Sequence, residues 1–135
     1  MLDIFVAKNL EQIEREKLPV RMSLGSAIYW LLHRYFVHAD LNPRSFDFMN
    51  MYEDTEINGY QLHRLRTELR DALLDLSARP SKFFVLTGWL GTEKTREAED
   101  WKEVDREEAT KVIEYLLSLI EEAIRNESGI FAIGD

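Results

Sequence analysis

Gly88 to Thr95, GWLGTEKT, is the stretch of this chain closest to a named catalytic motif. It follows a short apolar run and has the length of the phosphate-binding loop G-x-x-x-x-G-K-[ST], whose backbone amides cradle phosphate oxygens. Glu93 stands where that loop needs its second glycine. A carboxylate there obstructs the amides and repels the anion, and the acidic run that follows adds to the repulsion. Neither nucleotide binding nor any other cofactor is expected.

Metal and acid–base chemistry would have to use His33, His38 and His63, the three histidines. His33 and His38 are five residues apart, which does not put two ligands on one helix face as a spacing of four would. A third ligand from His63, Glu53, Asp54 or Glu56 would have to arrive through folding. There are no cysteines, hence no thiolate ligand, disulfide or thiol nucleophile. No serine lies in a G-x-S-x-G elbow; Ser26, in LGSAI, directly follows a glycine within a helical stretch. A His–carboxylate pair such as His63 with Asp40 is a product of folding rather than of sequence. No catalytic or metal-binding residue is assigned. A small enzyme with a pocket lined by histidines and aromatics stands as the alternative function.

Binding chemistry is better marked. The chain carries a formal charge of −8. Glu93 to Glu127 holds twelve of the 25 acids and six of the 17 bases. Such a surface argues against nucleic acid, which needs concentrated Lys and Arg. The nearest approach to a base-stacking surface, Trp30, His33, Arg34 and Val37, offers one arginine. Arg64, Arg66 and Arg70 are interspersed with Glu68, Asp71 and Asp75, so intramolecular pairing accounts for them. The complementary partner is a basic protein, as for an inhibitor or immunity-type module. Glu97, Glu99, Asp100 and Glu103 are the candidate contact residues, because no apolar stripe requires them. A plain solvated face is the competing account.

The elements that must position these residues read as helices. Leu24 to Ala39 has Leu24, Ala27, Ile28, Leu31, Leu32, Tyr35, Phe36 and Ala39 on one face, and Tyr29, Trp30 and Val37 on its flanks. A helix apolar nearly all round is buried on most sides, so this one is expected at the centre, capped by Ser23. Leu2, Val6, Leu10 and Ile13 predict a helix over 2–17; the competing reading is a strand at 3–7 through Ile4, Phe5 and Val6. Asn58 and Gln61, with Ile57 and Leu62, read as a capping box and staple opening a helix over 59–78. Asp105 and Glu108 do the same for a helix over 105–127, after which Gly129 suits the left-handed position. Asn42-Pro43 reads as a cap, and the aromatic-rich Ser45 to Tyr52 as core filling. Gly91 to Asp100 reads as an exposed loop or a frayed helix.

Phe83 to Leu86, between Pro80 and Gly88, is the best strand candidate; the apolar tail Ile130 to Ile133 packs on the bundle or pairs with it. The expected fold is thus mainly α: one helical domain over 1–135, a compact bundle of about four long helices with a minor β element (82–87 with 130–133). Trp30 or the aromatics of 46–52 could cover a second subunit in a homo-oligomer. Neither a secretory signal nor a membrane span is read, and the cytoplasm is the expected location.

Overall fold

The computed structural model describes residues 1–39, 54–89 and 99–134, without the side chains of 88 and 89. The Asn42-Pro43 cap, the Ser45 to Tyr52 stretch and the loop residues 91–98 lie outside the described residues. Leu2–Ala7 is a strand, β1, and not the first half of a helix. Leu2 and Ile4 are buried in one layer, and Phe5 and Ala7 in another. A strand buried on both faces reads as an unbroken apolar run rather than an alternation. The four residues that suggested one helical stripe therefore belong to two elements. The helix itself, α1 (Leu10–Glu16), begins at Asn9, whose side chain accepts from the Gln12 amide at 2.7 Å. Gln12 in turn accepts from the Lys8 amide at 2.7 Å.

The remaining elements are β2 (Met22–Leu24), α2 (Ser26–His38), β3 (Asp54–Ile57), α3 (Tyr60–Ser77), β4 (Lys82–Trp89), β5 (Glu99–Asp105), α4 (Arg106–Arg125) and β6 (Gly129–Gly134). Among the described residues these make four helices and six strands. The fold is α+β, and the expected mainly helical bundle with a minor β element is corrected accordingly. One antiparallel sheet has the order β2-β1-β6-β3, and β4 and β5 form a second, two-stranded antiparallel ribbon. The tail thus pairs with β1 and β3, not with 82–87 as expected. Its sequence, GIFAIG, is apolar on both faces because it lies in the middle of a sheet covered on both sides.

Ile130 and Ala132 of β6 meet the large core built with α2, α3 and α4. Phe131 and Ile133 face the other way, where Ile13 of α1 closes a smaller cluster over Phe5. The second helix buries Tyr29, Leu32 and Phe36 almost fully, but Ala27, Ile28 and Leu31 of its expected face are half-buried and Val37 is 42% exposed, so the described residues do not enclose it on most sides. Each fully buried side chain of this size contributes about 1.5–3 kcal/mol. Its start differs, because Ser23 belongs to β2 and donates to Asp3 Oδ1 at 2.6 Å, leaving Gly25 at the cap. The Asn58 capping box does not form either. Gly59, at φ +54°, takes the cap position, and Asn58 Nδ2 donates to Glu56 Oε1 at 3.0 Å. Asp105 does cap α4, accepting from the amides of Glu107 and Glu108 at 2.9 and 3.2 Å. No helix among the described residues is long and apolar enough to cross a membrane.

Candidate functional site

The β4–β5 ribbon has one face in the core and one in solvent. In an antiparallel pair, directly opposed residues share a face and sequence neighbours alternate. Phe83 and Val104, which oppose each other, and Val85 point inward and are buried, while Lys102, opposite Val85, reaches solvent. The Arg79 guanidinium lies 4.8 Å from the centroid of the Phe83 ring, fixing the ribbon against the end of α3. Phe84 opposite Glu103, and Leu86 opposite Trp101, point outward. Phe84 is 59% exposed and Trp101 50%. They are diagonal neighbours in the register, and Leu86 is half-buried beside them. Two large aromatics side by side on one open face make a patch rather than a scattered pair.

The carboxylates divide around this patch. Glu99 Oε2 accepts from the Trp101 indole Nε1 at 2.8 Å, which holds the ring in one orientation. Glu103 Oε1 lies 3.6 Å from Lys82 Nζ, with both side chains more than half exposed. Asp100 turns elsewhere. The register shifts between Leu86 and Gly88, and Thr87 Oγ1 donates to the Asp100 carbonyl and to its Oδ2, at 3.0 and 3.2 Å. Asp100 Oδ1 also lies 3.5 Å from Lys102 Nζ. Of the four residues singled out from the sequence, then, Glu99 and Glu103 flank the aromatic patch and Asp100 braces a β-bulge. Glu97 lies outside the described residues. Phe84, Leu86 and Trp101 escaped sequence reasoning. Their signal was the alternation Glu99, Trp101, Glu103, legible only once 99–105 is read as a strand.

Two of the five acids of α4, Glu121 and Glu122, pair with residues outside the helix. Glu121 Oε1 accepts from Arg66 at 3.0 Å and lies 3.7 Å from Arg70. Glu122 receives both ends of the Arg21 guanidinium, at 2.6 and 2.9 Å. That hydrogen-bonded cation holds the Glu122 carboxyl below its usual range.

The histidines have three different surroundings. His33 packs against the rings of Trp30 and Tyr29, with centroids 5.1 and 5.9 Å away. Trp30 itself is half-buried against the core. His38 is exposed, with Nδ1 3.8 Å from Glu68 Oε2. His63 lines a groove of about 410 Å³ with Lys8, Glu56, Asn58, Leu62 and Glu127, where the ends of β1 and α4 meet the start of α3. Its Nδ1 is 2.9 Å from Arg66 Nη2. Arginine only donates, so Nδ1 accepts and the ring proton sits on Nε2. Ser128, on the same wall, donates weakly to the Asn126 carbonyl at 3.4 Å, not to the imidazole. Asp40, the acid considered for His63, lies outside the described residues. Among the described residues, no group of three or more His, Asp or Glu is arranged to hold a metal ion. The hydrogen-bond partner of the His63 ring among the described residues is Arg66. No protein-family model, curated protein or solved structure matches the chain.

Proposed function

We propose that this protein is a protein-binding module that docks through the outward face of the β4–β5 ribbon, in the cytoplasm. The observation that carries the reading is the exposure of Phe84 and Trp101 side by side on a strand pair whose other face is core. Keeping two large aromatics in water forgoes the stabilisation that burial would bring, and covering them with a partner recovers it. The ribbon is also a rigid mount. Phe83, Val85 and Val104 anchor it from below, and the Glu99 contact fixes the indole above. Little conformational freedom is lost when a partner seats on such a surface.

A photo-crosslinking amino acid placed at position 84 tests this in intact cells, with the same group at position 74 as control. Leu74, on α3, is 70% exposed but isolated from other exposed apolar residues of its face. Irradiation is expected to give a discrete adduct from position 84, recovered in the cytosolic fraction, and none from position 74. Equal adducts from both positions, or none from position 84, would overturn the proposal.

A further inference from the structure

We infer that the segment this face accepts is a net-basic, arginine-bearing stretch of another protein, with the guanidinium on the Trp101 ring between Glu99 and Glu103. The inference rests on the docking reading above and adds the chemistry of the partner. Among the described residues, the ionisable groups on the outward face around Phe84, Leu86 and Trp101 are Glu99 and Glu103 against Lys82, an excess of one negative charge, while Asp105 at the end of the ribbon turns to the amides that open α4. A second copy of this chain would bring the same carboxylates face to face, on a molecule of net charge −8. Like-charge juxtaposition disfavours that assembly, and complementarity selects a cation.

The geometry favours arginine over lysine. The indole is held by its hydrogen bond to Glu99, so an aromatic plane beside carboxylate oxygens exists before any ligand arrives. A guanidinium can stack on such a plane and still direct its N–H groups outward, parallel to the ring, toward carboxylates that border the ring face, whereas an ammonium is a compact, strongly hydrated point charge. Glu103 is available at little cost, because its contact with Lys82 is long and solvent-exposed on both sides. Leu86 lies directly opposite Trp101, and Phe84 diagonal to it on the same face. An apolar side chain next to the arginine would cover them. The expected ligand is thus an extended segment pairing Arg with a neighbouring large apolar residue.

The probe is a library of random linear peptides selected on the immobilised full chain, followed by affinity measurements on synthetic versions of the selected sequences. Arg-containing, net-basic sequences are expected to be enriched. Their affinity should fall about tenfold on replacing the peptide arginine by citrulline, and by a similar factor in Trp101→Leu and in Glu103→Gln. Glu103→Gln is exposed and leaves the fold in place, so it keeps the test decisive if Trp101→Leu is poorly behaved. Enrichment of neutral or acidic sequences whose binding is lost in Phe84→Ser would overturn the inference about charge while leaving the docking reading standing. Selected sequences indifferent to both Phe84→Ser and Trp101→Leu would overturn both. A concentration-dependent dimer in sedimentation, abolished by Phe84→Ser, would assign the face to self-association and overturn the inference.

Discussion

Tyr35 combines a buried ring with a hydroxyl that donates to Asp75 Oδ2 at 2.5 Å, beside a water-sized cavity walled by Leu31, Leu32, Leu76 and Ile113. Burial, and then the neighbouring carboxylate, push its hydroxyl up to about 12. The sign follows from the neutral form being favoured in the fold. The stabilisation is complete below the unfolded value of about 10 and is lost as pH rises from there through about 12. Tyr35→Phe is expected to cost about 1 kcal/mol near neutrality. Urea melts of the two proteins should converge above about pH 10. A gap that stays constant to the top of that range would mean the hydroxyl contributes nothing through its proton. Thr55 is the opposite case. Its hydroxyl, on the core face of β3, has no hydrogen-bond partner among the described residues, so its burial is a cost.

At the scale of elements, the two ends of α4 differ in how they are made. Asp105 caps the start as its sequence position implies. At the other end the left-handed residue is Glu127, at φ +53°, and not Gly129. Ser128 N donates to Ala123 O at 2.8 Å and Glu127 N to Ile124 O at 3.3 Å, the paired bonds of a Schellman turn. Gly129 is needed for another reason, since a Cβ there would sit 3.1 Å from the Ile57 carbonyl of the adjacent strand. Glu127 has a Cβ in a region that disfavours one, and a negative charge at the negative end of the helix. Glu127→Gly is therefore expected to stabilise by about 0.5–1 kcal/mol, as a higher denaturation midpoint with unchanged slope. A lower midpoint would show that the carboxylate makes a contact worth more than the backbone relief.

The same contrast explains which elements were legible. α3 and α4 each have one apolar face with charged residues opposite, so their period announces them. β1 and β6 are buried on both faces and lose the period-two signal. β5 carries charge on both faces around a single buried residue, Val104, and reads as a loop. The strand read at Phe83 to Leu86 is β4, but because its partner β5 hid in that way, the acids could be singled out from the sequence and the aromatic patch could not.

Across the whole molecule, the sheet separates α1 on one side from the other three helices, and Arg21 ties the strand side to α4 through Glu122. The lowered Glu122 carboxyl makes that tie acid-sensitive. Its contribution is present above the unfolded value of about 4.3 and is lost as pH falls below it. Both side chains are about one-third exposed, so Glu122→Gln is expected to cost at most about 1 kcal/mol at neutral pH. The difference between wild type and variant should shrink as pH falls from the unfolded value through the lowered folded one, and vanish once Glu122 is protonated in both states. A difference that persists there would place the effect in packing. The strand order β2-β1-β6-β3 has a further consequence, in the order of synthesis. β1 leaves the ribosome early and can pair with β2, but β6 must arrive before β1 and β3 can belong to one sheet. Phe5 cannot meet Phe131, nor Ile57 meet Ile130, until then. Helices α2 to α4 can pack on one another and on the ribbon before then, but the part of their core that Ile130 and Ala132 fill stays open until 129–134 have cleared the exit tunnel.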